Sequence, residues 1–477
     1  MPSKPRFLQN TLPDGIDLSP RHLGVIGAAL KDALEEVLLC GKRHEDLHGT
    51  SVYLGISGVA MALRHTSLAL QHVWDKGDRS FQAALAPHTP HSLLAAANSM
   101  CEDALRSPPH KTRVTFLEGG AGPLALLAVL QWELGQPTWR QHLEALLLMA
   151  SQQVPQLGPG ECEVLYGRAG YLWALLWAQR RLPPGSVPRQ LLKEIVRHIL
   201  THGRSGAAEL GWPVAGLMFQ WHGSAYLGAA HGLAGILYVL CHAMDVVDEL
   251  DREQQGSGPE QGLEAAAGLP DGGGGPRETC GRCGTGKLPG SWRAAVEASI
   301  SGLVAACLPS GNLPSSLGKA EDRLVQWCHG APGLTFLLPV ASHLWPDRAH
   351  AWLAAAEAAG EVVWQRGLLL KGVGLCHGLA GSSYALLALA CPAGPTLPQA
   401  LHPGLQALAL RCRRRAFQMA LFAADQWRQM YDTPDTPASL YEGLSGLVCL
   451  LADVMASLAL PDDAGGYIPT MPGFQLP

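Results

Sequence analysis

Two strings in this chain repeat the same pair of reactive residues at the same register. Trp327-Cys328-His329-Gly330 and Leu375-Cys376-His377-Gly378 each set a thiol two residues before a glycine and a histidine one residue before it. A third string, Ala230-His231-Gly232, carries a histidine at the equivalent place. If the strings are equivalent repeats, the residues before each glycine open into one mouth. Cys328 and Cys376 then occupy adjacent repeats at the same offset, and His377 follows Cys376 directly at a helix entry, where both side chains can converge. Two thiolates and one imidazole make a three-ligand zinc set that leaves a fourth position for substrate or water. A single Cys-His pair is more often a core thiol beside a hydrogen-bonded histidine. Matched placement in consecutive repeats turns the assignment to metal, on Cys328, Cys376 and His377. Such a zinc would hold an incoming thiol as thiolate and keep it nucleophilic near neutral pH. His231 and His329 would face the same cavity, where either could carry protons.

The elements that must position these residues repeat with them. A glycine, two residues, a second glycine and then an apolar run occur at Gly55/Gly58, Gly119/Gly122, Gly167/Gly170, Gly232/Gly235, Gly330/Gly333, Gly378/Gly381 and Gly443/Gly446. The steps between first glycines are 64, 48, 65, 98, 48 and 65 residues, room for a second helix before each next copy. A period of this size indicates an array of helical hairpins. The post-glycine runs are apolar almost all round, as enclosed helices are, whereas 137–152, 189–203, 293–307, 346–366 and 403–428 are amphipathic. The expected fold is all-α, a single domain over 1–477 built as an (α/α)7 toroid, with inner helices starting at the glycine pairs and their unpaired N–H groups ringing one cavity. The 98-residue step contains 251–290, polar and glycine-rich, which reads as a disordered surface insertion. Cys280 and Cys283 lie in it as a lone CxxC pair, too little for a zinc site by itself. Arg411-Cys412-Arg413-Arg414-Arg415 reads as a solvated outer face.

Composition narrows the function classes. Hydrophobic residues make up 47% and charged residues 16%, which suits a large helical core. A net charge of −5 gives no basic field for nucleic acid. No apolar stretch approaches about 20 residues, the N-terminus carries no signal-peptide core, and Pro2 stands where myristoylation needs glycine. The expected location is cytoplasmic, with room for a nuclear or peripheral-membrane pool. Twelve scattered cysteines then read as buried thiols or metal ligands.

The strings LEGGAGPLAL at 117–126, LYGRAGYL at 165–172, YLGAAHGLAG at 226–235, LPSSLG at 313–318, WCHGAPG at 327–333, KGVGLCHGLAG at 371–381 and TPDTPASLYEG at 433–443 resemble the lanthionine synthetase C-like family, specifically its eukaryotic members. The resemblance covers nearly the whole chain except 251–290. It implies a seven-hairpin barrel with one zinc on Cys328, Cys376 and His377. Bacterial relatives add a peptide cysteine to dehydroalanine or dehydrobutyrine; eukaryotic members bind glutathione and add it to dehydroamino acids in damaged proteins, notably kinases. Glu163 matches an acid of the bacterial cyclases, four residues before the third-repeat glycine, and His231 the histidine of the AHG string. Lys371, five residues before the second zinc cysteine, matches a lysine that contacts the tripeptide. Two positions depart from the pattern. Asp432 stands where an arginine before TPDTP helps hold glutathione, and an acid cannot pair with a glutathione carboxylate. Arg428, one helical turn upstream, is the nearest replacement. The second copy reads Gly119-Gly120-Ala121-Gly122 rather than GDAG, with Glu118 adjacent.

The function this implies is zinc-dependent addition of the glutathione thiol to a dehydroamino acid in a protein, with Lys371 anchoring glutathione and His231 or Glu163 protonating the enolate. The alternative is a scaffold or signalling protein that keeps zinc and binds glutathione or a lipid surface. A toroidal glycoside-processing enzyme needs paired carboxylates at the mouth, where this chain has cysteine and histidine.

Overall fold

Apolar helices that cannot be wetted on any face must be enclosed by other helices, and the chain solves this by nesting one ring inside another. The computed structural model describes residues 5–14, 22–43, 46–75, 82–83, 85–106, 113–212, 215–256, 290–390, 399–459 and 467–476. Seven inner helices follow the seven glycine pairs: α2 (Ile56–Trp74), α4 (Ala121–Glu133), α6 (Arg168–Gln179), α8 (Leu233–His242), α11 (Pro332–Leu344), α13 (Leu379–Leu387) and α15 (Leu444–Ala459). Each packs on the next, and α15 packs on α2, which closes the ring. Around them lie α1 (Leu23–Arg43), α3 (Pro90–Arg106), α5 (Trp139–Gln152), α7 (Arg189–Glu209), α12 (Ala349–Arg366) and α14 (His402–Met430). The remaining outer place is filled by α9 (Met244–Gly256) and α10 (Trp292–Ala305). The expected all-α toroid is therefore the observed one. Among the described residues the only β pairing is three isolated bridges.

The glycine repeat has a steric cause. A Cβ on Gly381 would stand 1.9 Å from the carbonyl oxygen of Leu375. A carbonyl six residues upstream meets Gly58, Gly122, Gly170, Gly235 and Gly446 in the same way. The entering loop thus folds under the first turn of its own helix, and only a residue without Cβ permits that approach.

Two expectations change. Residues 251–256, read as the start of the insertion, complete α9, because Asp251 is buried and its carboxylate accepts from the backbone N–H groups of Trp292 and Arg293 at 2.6 and 3.0 Å. The rest of the insertion to 289, with Cys280 and Cys283, lies outside the described residues. The arginine run on α14 is not merely solvated: Arg415 is buried between Asp14 and Glu361, each at 2.6 Å, and Arg411 pairs with Glu357. Acids of the same chain already use this charge. No helix among the described residues is long and apolar enough to cross a membrane.

Candidate metal centre

The loops entering α11, α13 and α15 meet at one end of the ring. The Trp327 amide donates to the Cys376 carbonyl at 2.9 Å, and the Cys376 amide donates to the Tyr441 carbonyl at 2.7 Å. The loop entering α8 joins them: a Cβ on Gly228 would stand 2.2 Å from the Cys328 carbonyl oxygen, so only glycine lets that backbone approach. These links bring Cys328, Cys376 and His377 together, with their three donor atoms all within 4.8 Å of one another. The donors of one tetrahedral zinc stand roughly 3.5–4 Å apart, so a small inward shift completes the set. Among the described residues no other group of three such donors converges.

The donor chemistry fits a soft or borderline divalent cation. Burial, reinforced by the Cys328 sulfur, pushes the Cys376 thiol well above its ordinary pKa, against the opposing influence of His377. Burial opposes charge on His377, but Cys376 outweighs it and the net shift is upward. A buried thiol held from ionising beside a second sulfur is what a dication relieves. Tyr53, buried and stacked on Tyr441 at 4.6 Å, places its hydroxyl in hydrogen-bonding contact with Cys376; burial and the two sulfurs push its own pKa well up, so it remains a donor. Glu442 lies 3.9 Å from His377 Nε2 and accepts from the Thr436 hydroxyl at 2.9 Å.

A carboxylate–imidazole pair adjoins the triad. Glu163 is buried, and its carboxylate accepts from the amides of Leu165 (2.9 Å) and Tyr166 and faces His231 Nδ1 at 2.9 Å. The two amides hold one carboxylate oxygen each, and Oε2, shared with the Leu165 amide, fixes the imidazole. Trp221 lies parallel to His231, with centroids 4.2 Å apart and planes 4° apart, and Tyr166 stacks against both rings, at 5.5 Å from Trp221 and 5.7 Å from His231. Trp221 reaches there from a tight turn to Ser224, in which His222 takes φ 47°. His329 lies 6.4 Å from His231. Burial, then proximity to His231, lower its pKa to about 4, so it is neutral near pH 7 and poorly suited to act as an acid there. A cavity of about 550 Å³ lies beside the pair, bordered by Arg113, Gln153, Gln156, Glu161, Tyr166 and Trp221. Arg113 stands 4.9 Å over the Tyr166 ring and pairs with Glu118 at 2.9 Å.

Of the residues singled out in the sequence, Cys328, Cys376, His377, His231, Glu163 and His329 gather at this mouth. Lys371 is exposed and near enough for its charge to oppose that of His377. Arg428 does not join them: it is exposed on α14, pairs with Asp32 of α1 and lies over Trp427 at 4.6 Å. Asp432 is exposed beyond the end of α14. Sequence reading missed Tyr53, Trp221, Arg113 and Glu442. Glu442 directly precedes the seventh-repeat glycine, a register signal that could have found it.

A family model described as lanthionine synthetase C-like protein matches residues 79–256 and 293–461. The chain belongs to the lanthionine synthetase C-like family. Within it, glutathione S-transferase LANCL1 of Danio rerio is 30% identical over 468 residues, covering 95% of this chain and 97% of that protein. LanC-like protein GCL1 of Arabidopsis thaliana is 34% identical over 351 residues, covering 72% of this chain and 68% of that one. Among solved structures, nisin cyclase superposes with a TM-score of 0.55 over 89% of this chain and 93% of its own, at 14% identity, a likeness of fold. The family match breaks between 256 and 293, where α9 ends and α10 begins.

Proposed function

We propose that this chain adds the thiol of glutathione to dehydroalanine or dehydrobutyrine residues of proteins, at a zinc held by Cys328, Cys376 and His377. The observation that carries the reading is the convergence of that triad beside the Glu163–His231 pair. Zinc, when bound, would supply acidity to the incoming thiol. The sulfur then bonds to the β-carbon of the acceptor, the double bond's electrons move toward the carbonyl, and the α-carbon takes a proton. His231, held at Nδ1 by Glu163, presents its other nitrogen for that proton. Lys371 supplies a cation for a carboxylate of the tripeptide. The cavity beside Trp221 and Tyr166 offers the acceptor chain a polar wall with an aromatic edge. The Danio rerio relative is named a glutathione S-transferase, which agrees with this assignment.

One observation favours a second reading, a zinc-bearing scaffold with weak glutathione binding. Asp432 replaces the arginine of glutathione-binding relatives, and Arg428 is already paired with Asp32. The deciding experiment incubates zinc-loaded protein with glutathione and a dehydroalanine peptide, followed by mass spectrometry. A thioether adduct in wild type that is absent in Cys376→Ala supports the enzyme; no adduct in zinc-loaded wild type leaves the scaffold.

A further inference from the structure

The segment 467–476 does not trail over the surface. Met471 and Phe474 are fully buried, and the Phe474 ring meets Trp173 of α6 (6.1 Å), Tyr238 of α8 (4.7 Å), Phe336 of α11 (5.4 Å) and Trp327 (4.9 Å). The Trp173 indole N–H donates to the Gly473 carbonyl at 2.7 Å. A Cβ on Gly473 would meet Tyr441, Phe116 and Leu117 within 3.6 Å. Residues of five of the seven repeats therefore touch this segment, which places it in the centre of the inner ring as a plug. Its near end is tied down as well: the Tyr467 hydroxyl donates to Asp453 at 2.6 Å, and the same buried carboxylate holds His65 of α2 and Tyr384 of α13.

The plug reaches the metal cluster through a row of rings, and the Tyr441 hydroxyl also donates to the Pro472 carbonyl at 3.5 Å. Trp327 immediately precedes Cys328, and its amide is bonded to the Cys376 carbonyl. Its indole N–H is buried without a partner among the described residues, so packing alone fixes the ring. That packing consists of Phe474 on one edge and Tyr441 at 5.2 Å on another. Tyr441 in turn receives the Cys376 amide and stacks on Tyr53, whose hydroxyl contacts Cys376. Both thiols thus rest on an aromatic row whose inner end is Phe474.

We infer that the 467–476 segment is a positioning part of the metal centre, with Phe474 holding Trp327 and Tyr441 so that Cys328 and Cys376 stay at ligating separation. This rests on the zinc reading above. Outer partners of metal ligands typically change affinity by about 10–100-fold when removed. Full-length wild type, Phe474→Ala, Phe474→Leu and Leu200→Ala, a core truncation on α7, are compared by zinc competition against a chromogenic chelator and by the sulfur-to-cobalt charge-transfer band of the Co(II) form. Thermal unfolding is measured in parallel. Phe474→Ala should lose about 10-fold or more in zinc affinity and shift the cobalt band, while Leu200→Ala loses stability and keeps both. If Phe474→Ala does not fold, Phe474→Leu decides, because it fills most of the volume but lacks the ring. Wild-type affinity and spectrum in whichever Phe474 variant folds would overturn the inference. Failure of wild type itself to bind zinc would instead sink the zinc reading.

Discussion

Gly228→Ala tests whether backbone apposition between repeats four and five builds the metal site. The added Cβ would stand 2.2 Å from the Cys328 carbonyl oxygen, 0.8 Å inside the 3.0 Å limit below which real Cβ contacts essentially do not occur. Its next neighbours, the Cys328 carbonyl carbon and His329 Cα, are both at 2.9 Å, so no flexible side-chain end can swing aside. The strand of chain bearing Cys328 must retreat by nearly an ångström. Metal–ligand distances in a formed zinc site hold within about 0.2 Å of their standard values, so a retreat of this size must be undone before Cys328 can ligate. The variant should therefore lose zinc affinity by at least about 10-fold, and overpacking should cost about 1–3 kcal/mol of stability. Chelator competition reads the first and chemical unfolding of zinc-free protein the second. Wild-type zinc affinity in a folded Gly228→Ala protein would refute the claim that this contact sets the position of Cys328.

Three further outcomes follow from the site and the core. His231→Ala should slow adduct formation by about 10²–10⁴-fold with zinc content unchanged; loss of zinc in that variant would make His231 a structural support. Asp432→Arg should tighten glutathione binding by about 1.5–3 kcal/mol, because a charge-assisted donor replaces a repelling acid; titration calorimetry showing equal affinities would mean that other groups hold the tripeptide. Burial and then Arg168 and His202 lower the pKa of His198 to about 4, and burial and then Arg180 lower that of His242 to about 3. Unfolded histidines titrate near ~6.5, so between that value and about 4 the unfolded chain binds more protons, and stability should fall as pH drops through this window. A thermal midpoint that stays level from pH 7 to 5 would contradict this.

The repeat was legible because six of the seven helix entries impose the same steric demand on the second glycine; Gly381 over the Leu375 carbonyl shows why, and Gly333 is the exception. The convergence of Cys328, Cys376 and His377 was legible for a related reason, since equivalent entries put Cys328 and Cys376 at equal offsets. Trp221 was not, because it reaches the mouth from a loop with no spacing relation to the cysteines; Tyr53 stands two residues before Gly55, at the offset of Cys328 and Cys376 from their glycines, and only its residue type hid it. Trp221 depends on the Trp221–Ser224 turn for its place over His231. The end of α9 was misread because its charged exposed face resembles insertion sequence, whereas the interaction that orders it, Asp251 at the start of α10, joins residues 41 and 42 positions apart. The plug was invisible for the opposite reason: 467–476 is short and proline-rich, and its burial comes entirely from the ring it fills. Arg428 shows the limit of register reasoning, since a turn upstream of Asp432 faces α1.

The most direct test of a three-ligand centre that presents a thiol is X-ray absorption at the zinc edge, with and without glutathione. The account predicts two sulfur ligands and one imidazole in the loaded protein, and a third sulfur when glutathione is added. A sulfur count that remains at two under saturating glutathione would contradict it.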